Sequence, residues 1–239
     1  TLGNQTRSGL DRNASGTLDL SLTDRITDTD AAFTNLSGAW WQQTIQQVYA
    51  TDNNATATTT GTQRSRISGF TGGVVEESVA IDIHGNTTTA QTTINRTTKT
   101  QTQTVDEPDS NINTVTTTVN GLLTSAQSKT GVTTTYTYDA LERPTGVTDP
   151  RTGTTTTSYN PTTGRVDYVQ DPATNRMTYT YETTTGRKAT EANALSQVTR
   201  FAYNNLDQVT NTWGDVPYPV RYVYDSYGRL SQMHTWQTG

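Results

Sequence analysis

The side chains that most often carry out chemistry in proteins are scarce in this sequence. It contains two histidines, His84 and His234, and no cysteine. Because neither histidine stands at the spacing of a zinc site, the sequence predicts satisfied turn or surface histidines, no metal site and no cofactor. No nucleophile elbow, phosphate-binding loop or dinucleotide-binding motif occurs, so no catalytic residue is predicted.

One short run of carboxylates could hold calcium, which takes oxygen ligands from loops. Asp24, Asp28 and Asp30 lie close together in the chain. Their spacing is not that of an EF-hand, and no glycine stands at the sharp-turn position of such a loop. A solvated loop is therefore the preferred interpretation of these three residues.

Three tryptophans form the other candidate site. Trp40, Trp41 and Trp236 could stack on sugar rings, because exposed aromatic side chains on a flat sheet suit carbohydrate. The alternative interpretation is that these rings pack hairpin against hairpin. The sequence leaves both interpretations open.

The composition predicts sheets with at least one solvated face. Apolar residues make up 30% of the chain, and 56 residues are threonine. Threonine is β-branched and suits a pleated, half-exposed surface, so this composition favours strands over disorder. The net charge of −5 is spread thinly and forms no basic stripe, which argues against a nucleic-acid partner. No stretch approaches the roughly 20 apolar residues of a membrane helix, so no membrane segment is predicted.

A repeated motif organises the second half of the chain. Five tyrosines, spaced by 21, 22, 22 and 21 residues, head similar segments: Tyr138, Tyr159, Tyr181, Tyr203 and Tyr224. Turn residues and arginines follow them: Asp139 and Asp225, Gly164, Gly186 and Gly228, and Arg143, Arg165, Arg187 and Arg229. Aspartate side chains start turns, glycine tolerates a positive φ, and arginine can reach a turn carboxylate.

Alternating residues lead up to each of these tyrosines, as in Met177, Tyr179 and Tyr181. A period of two is typical of a strand with one apolar face, and a return strand is expected after each turn. The sequence therefore predicts an all-β fold of tandem antiparallel hairpins with a period of about 22 residues. The tyrosine of one hairpin is expected to lie over the tyrosine of the next.

The segments YDALERP, YNPTTGR, YETTTGR and YDSYGRL resemble the YD repeat of the RHS/YD-repeat family. That family includes bacterial polymorphic toxins, Tc-toxin cocoon subunits, wall-associated proteins and animal teneurins. A looser copy runs from Val119 to Leu122, and Ile81 to Asn86 resembles a D-x-x-G-N variant. Glu142, Glu182 and Gln208 depart from the motif at single positions.

The resemblance implies an architecture and a role. In this family the repeats wind as a spiralling, single-layer strip of β-sheet into a hollow shell, which in toxins encloses an effector. The expected function is a non-enzymatic shell or scaffold segment of a secreted or cell-surface bacterial protein. The expected partners are neighbouring repeats of the same or a longer chain, with an encapsulated effector or a surface glycan as a further possibility.

Three regions are expected along the chain. Residues 1–75 are irregular and β-rich, residues 76–131 hold degenerate repeats, and residues 132–239 hold five clear repeats. The array is expected to be continuous and to form part of a longer chain. The alternative function is a surface adhesin or filament-forming module that binds carbohydrate or self-assembles through sheet edges. A carbohydrate-active enzyme is disfavoured, because it needs paired carboxylates on neighbouring strands.

Overall fold

The computed structural model describes residues 7–20, 22–49, 56–216 and 218–236. These residues form strands and turns, and the chain divides into two compact units, Thr1–Thr133 and Thr134–Gly239. Every strand pair is antiparallel, and strands pair with their neighbours in chain order within each unit. The predicted all-β fold of tandem antiparallel hairpins is confirmed.

In its described residues the first unit contains nine strands, and the second to sixth of these are the longest. The strands are β1 (Arg7–Leu10), β2 (Arg25–Leu36), β3 (Ala39–Tyr49), β4 (Thr58–Ser68), β5 (Gly73–Asp82), β6 (Thr87–Asn95), β7 (Thr100–Asp106), β8 (Thr114–Val119) and β9 (Leu122–Gln127). The hairpin of β8 and β9 turns at Asn120 and Gly121, whose φ angles are 52° and 84°. Two successive positive φ angles match the twist of the strands that they join.

The second unit, where it is described, contains ten strands of five to seven residues. They are β10 (Thr133–Tyr138), β11 (Pro144–Asp149), β12 (Gly153–Tyr159), β13 (Val166–Gln170), β14 (Arg176–Tyr181), β15 (Lys188–Ala192), β16 (Val198–Tyr203), β17 (Val209–Gly214), β18 (Val220–Tyr224) and β19 (Leu230–Thr235). β10, β12, β14, β16 and β18 each end at one of the five phased tyrosines. Each tyrosine sits at a register shift, so the return strand carries one extra residue just after the turn.

The sheets bury very little. Among the described residues only Asp24, Ile26 and Pro219 are buried. Threonines pair across neighbouring strands through their hydroxyl groups, as between Thr180 and Thr190 at 2.7 Å. These pairs and the ladder hydrogen bonds replace much of the apolar packing of a globular core. The low apolar content of the sequence therefore reflects a thin sheet.

No helix capable of crossing a bilayer occurs in the part of the chain that the structure describes.

Candidate functional site

The turns that follow the phased tyrosines are held by the side chain of the residue just after the tyrosine. The Asp139 carboxylate accepts the backbone N–H groups of Leu141 and Arg143 at 2.9 and 3.0 Å. Asp225 accepts those of Tyr227 and Arg229 at 2.9 Å in the same way. An aspartate at this position therefore closes the turn by binding the backbone two and four residues further on.

The arginine at the end of the turn binds back to the same carboxylate. Arg143 contacts Asp139 through Nε at 2.7 Å and Nη2 at 2.6 Å. The guanidinium group lowers the pKa of Asp139, and hydrogen bonds from backbone N–H groups lower it further. Glu182, which replaces the aspartate in another turn, contacts Arg187 at 2.9 Å. The longer carboxylate side chain thus still holds its arginine.

These arginines also reach forward to the next hairpin. The carbon at the centre of the guanidinium group lies 4.2 Å from the centre of the Tyr159 ring for Arg143, and 4.9 Å from the Tyr203 ring for Arg187. Arg143 also donates to the carbonyl of Gly164 in the next turn at 2.8 Å. Cation–π contacts of this kind contribute about 0.5–1 kcal/mol at exposed sites. Each arginine therefore connects two successive hairpins.

The tyrosines reach backward to the preceding hairpin. Four hydroxyl groups each donate to the carbonyl of the residue 15 positions earlier, which begins the preceding return strand. The pairs are Tyr159 to Pro144 at 2.9 Å, Tyr181 to Val166 at 3.0 Å, Tyr203 to Lys188 at 2.9 Å and Tyr224 to Val209 at 2.8 Å. We call this pair of contacts, arginine forward and tyrosine hydroxyl backward, the inter-repeat clamp.

The clamp differs from the expected ladder of stacked tyrosines. Tyr159 pairs across the ladder with Val166 and not with another tyrosine, because a return strand separates successive tyrosine strands. The side chains of Arg143 and Arg187 lie in the intervening space. The expectation overlooked that neighbouring repeats are two strands apart, or roughly 10 Å.

Two departures from the motif retain the geometry. Gln208 stands where the other turns have arginine, and its side-chain amide donates to the Gly228 carbonyl of the next turn at 2.6 Å. Glu142 stands where three other turns have glycine, and its φ of 62° lies in the same left-handed region. The turn hydrogen bonds therefore impose the conformation even without glycine.

One of the predicted glycines, Gly186, lies against the side chain of Arg165 from the preceding turn. The turn of Arg165 offers Asn160 in place of a carboxylate, and the guanidinium carbon of Arg165 lies 5.5 Å from the centre of the Tyr181 ring. A Cβ atom added at Gly186 would collide with this guanidinium group. Gly186 therefore provides both a positive φ of 74° and room for the neighbouring arginine.

Two of the three candidate tryptophans lie in the first unit and one lies in the second. Trp40 and Trp41 are adjacent in β3, so their side chains lie on opposite faces of the sheet. Trp41 lies against the guanidinium group of Arg66, at 4.6 Å, whereas Trp40 is 65% exposed. Trp236 follows β19 in the second unit.

Trp40 lies along a groove on one face of the first unit. Phe33 shares this face, since it pairs with Gln42, and it is 74% exposed. Ile67 and the polar side chains of Glu76 and Ser78 also line the groove, whose volume is about 600 Å³. Phe33 and Ile67 were missed as candidates, although the period-two pattern of strands places alternate residues on one face.

Two of the carboxylates considered for calcium bind different groups of the protein itself. Asp28 forms an ion pair with Arg7 at 2.6 Å, and Asp24 accepts the backbone N–H groups of Arg12 and Asp19. These backbone hydrogen bonds lower the pKa of Asp24. Among the described residues no group of three histidine, cysteine or acidic side chains is arranged to hold a metal ion.

An oxygen-rich loop precedes Asp24 and was not considered from the sequence. Asp11 accepts the backbone N–H of Gly16 at 2.8 Å, and Asp19 accepts the hydroxyl group of Ser15 at 3.0 Å. The oxygens of this loop are therefore engaged with the loop itself.

Comparison with known proteins gives a family match for one stretch of the chain. Residues 119–155 match the family model described as RHS Repeat. No curated protein sequence matches the chain.

Among solved structures, the chain is similar to the crystal structures of TcdB2-TccC3-Cdc42, at 15% identity, and of TcdB2-TccC3, at 16% identity, each with a TM-score of 0.47. It is also similar to the Tc holotoxin pore of Photorhabdus luminescens, at 16% identity and a TM-score of 0.44. Each similarity covers 87% of this chain, which spans only 12% of the length of the matched chains. The family match confirms the resemblance over residues 119–155, a stretch that includes Tyr138, and the chain carries an RHS repeat there.

Proposed function

We propose that the chain is a structural segment of a shell or scaffold, within a longer RHS-repeat protein that is secreted or exposed on a bacterial cell surface. Its role is to enclose or present an effector, and it performs no catalysis. The inter-repeat clamp is the observation that carries this proposal, because it fixes each hairpin to the next by side-chain contacts that recur along the second unit.

The thinness of the sheets supports the same role. A wall must have two surfaces in contact with solvent or cargo, so it cannot rely on a thick apolar core. The described residues bury almost nothing, and cross-strand threonine pairs supply contacts on a wet surface. The arginines and tyrosines that recur from repeat to repeat join one hairpin to the next. Their role is therefore to build the sheet.

Protease protection in the full-length polypeptide tests enclosure. In the unaltered protein we expect the effector segment to resist a broad-specificity protease under native conditions. The variant Arg143→Ala together with Arg187→Ala removes two forward contacts of the clamp, and we expect it to expose the effector to cleavage. Cleavage products are identified by mass spectrometry.

Arg151→Ala is the matched control, because Arg151 binds Asp149 within its own turn at 2.7 Å. This variant should leave the effector protected. Equal cleavage of the effector in the unaltered protein and in both variants would contradict enclosure, and turnover of a glycoside substrate would contradict a purely structural role.

A second candidate function, carbohydrate binding by a surface adhesin, is favoured by the groove in the first unit. Exposed Phe33 and Trp40 offer flat rings, and Gln42, Glu76 and Ser78 offer hydrogen-bonding groups beside them. Sugars present apolar C–H faces and hydroxyl groups, which such a surface can bind together.

Substitutions on the two faces of β3 can distinguish carbohydrate binding from a structural role of the tryptophans. If the groove binds glycan, binding on a glycan array is lost in Trp40→Ala and kept in Trp41→Ala, because Trp41 faces the opposite side. Loss in neither variant, or in both equally, would argue against the groove. Concentration-dependent fibres in electron micrographs would instead favour assembly through sheet edges.

A further inference from the structure

The groove in the first unit runs across the strands of the sheet. Phe33 of β2 lines one end of it, and Gln103 of β7 lines the other. Between them Glu76 pairs with Ile67 on one side and with Thr92 on the other, and each of these residues lies on a different strand. The two ends lie five strand spacings apart, or roughly 24 Å along the sheet. The groove therefore suits an extended ligand of several units better than a single small ring.

The strands below the groove are paired on both sides. β3, β4, β5 and β6 each form backbone hydrogen bonds with the strand before and the strand after. An extended peptide that binds as an added strand needs an open edge. A ligand in this groove must therefore be recognised by the side chains that line it.

These side chains change in character along the groove. Phe33, Trp40 and Ile67 lie on the first three of its strands, and each is more than half exposed. The strands further along contribute hydroxyl and amide groups, among them those of Ser78 and Gln103, which both donate and accept hydrogen bonds. A chain of sugars combines apolar C–H faces with hydroxyl groups, so it matches both parts of the groove.

Glu76 gives the groove a negative charge. It is exposed, and no described residue forms an ion pair with it. Arg66 and Glu77 also border the groove, but their side chains belong to the opposite face of the sheet. There Glu77 binds Arg66, which lies over the Trp41 ring at 4.6 Å. The carboxylate of Glu76 is therefore free to pair with a cationic group of a ligand.

We propose that the groove binds an oligosaccharide that carries amine groups, with one sugar stacked on Trp40 and a protonated amine further along the chain beside Glu76. Trp40 and Glu76 lie two strands apart, or roughly 10 Å, so stacking and charge pairing involve different sugars of the chain. The inference rests on the carbohydrate binding proposed above, to which it adds the chemical class of the sugar.

Two matched probes test the proposal, a tetramer of β-1,4-linked glucosamine and the corresponding tetramer of glucose. They differ only in the amine or hydroxyl group at the second carbon of each sugar. Each is titrated against the intact chain at about pH 6, where amines are protonated and carboxyl groups are ionised, and NMR gives the dissociation constant. We expect the glucosamine tetramer to bind about two- to fivefold more tightly, the effect of one exposed ion pair.

Three variants locate the effect. Glu76→Gln should remove the preference and leave both tetramers bound with the affinity of the glucose tetramer. Asp106→Asn is the matched control, because Asp106 is an exposed carboxylate on the opposite face, where it pairs with Thr89, and this variant should keep the preference. Trp40→Ala should weaken binding of both tetramers by a similar factor of about two to ten.

The outcomes distinguish this proposal from the function on which it rests. Equal binding of the two tetramers, weakened in Trp40→Ala, would overturn the role of Glu76 and retain carbohydrate binding. Absence of binding of either tetramer up to about 10 mM would overturn both. A tetralysine peptide that binds as tightly as the glucosamine tetramer, and equally well in Trp40→Ala, would also overturn the proposal, because charge alone would then select the ligand.

Discussion

At the scale of single residues, the turn aspartates and arginines each make two sets of contacts. Asp139 binds the backbone of its own turn and the guanidinium group of Arg143. Arg143 in turn binds that carboxylate, the next tyrosine ring and the next turn carbonyl. Because each group serves both the turn and the connection between repeats, a substitution there alters two levels of structure at once.

Removal of one tyrosine hydroxyl should weaken the second unit measurably. Tyr203→Phe leaves the Lys188 carbonyl without its donor, and we expect the free energy of unfolding to fall by about 0.5–1.5 kcal/mol. Denaturation by urea measures this change. Tyr227→Phe is the control, because Tyr227 is 82% exposed, and it should change stability by less than about 0.5 kcal/mol. Equal losses in the two variants would refute the backward contact.

The positive φ of Glu142 offers a route to a more stable protein. A side chain in the left-handed region costs roughly 1–2 kcal/mol, part of which glycine gives back through its greater freedom in the unfolded chain. Glu142→Gly should therefore raise the free energy of unfolding by up to about 1 kcal/mol. Gly228→Ala, at a φ of 77°, should lower it, and a gain there would contradict the argument.

At the scale of the hairpin, the inter-repeat clamp joins successive hairpins by side-chain contacts. The backbone hydrogen bonds between their strands already align these hairpins. A double-mutant cycle of Arg143→Ala and Tyr159→Leu should give a coupling free energy of about 0.5–1 kcal/mol, because the two side chains stack at 4.2 Å. The same cycle with Arg151→Ala in place of Arg143→Ala should give a coupling near zero. Urea denaturation of the single and double variants supplies both values.

The turn carboxylates predict how the hairpins respond to acid. Arg151 lowers the pKa of Asp149 to about 2 from its usual 3.8, and Asn175 lowers that of Asp171. Groups with a lowered pKa in the folded state contribute stability that is present above pH 3.8 and lost as the pH falls through the folded pKa. Stability should therefore decline between pH 4 and pH 2, and Asp149→Asn should make the decline shallower. A decline of the same steepness in that variant would contradict this assignment.

At the scale of the whole chain, each unit is a row of strands that pair with the next strand in sequence, and its described residues form no central apolar core. Stability in such a protein is approximately the sum of each repeat and its contacts with adjacent repeats. Five residue pairs join β16 to β17 and only two join β17 to β18, so protection against hydrogen exchange should vary along the row. We expect amides that bond between β16 and β17 to exchange more slowly than those that bond between β17 and β18, as measured by mass spectrometry. Equal protection would show that the unit opens only as a whole.

The sequence was sufficient to predict the hairpins and their period. Tyr138, Tyr181 and Tyr224 end strands as their phase predicted, because a period of two and a turn residue are local signals. The opposite faces of Trp40 and Trp41 could also have been inferred from that period. Neither inference requires knowledge of distant contacts.

The clamp could not be predicted, because it depends on the relation between strands. The register of β14 against β13 brings the Tyr181 hydroxyl to the carbonyl of Val166, and no local pattern announces that register. In the same way, the left-handed conformation of Glu142 results from the surrounding turn hydrogen bonds and not from the preference of a glutamate.

The clamp also gives the row of hairpins a polarity. Arginines point towards the C-terminus and hydroxyl groups point towards the N-terminus, so no hairpin could be reversed without breaking both contacts. A polypeptide emerges from the ribosome N-terminus first. Each newly emerged tyrosine then meets the turn and the carbonyl of a hairpin that has already formed. The hairpins can therefore assemble one after another, in the order of synthesis.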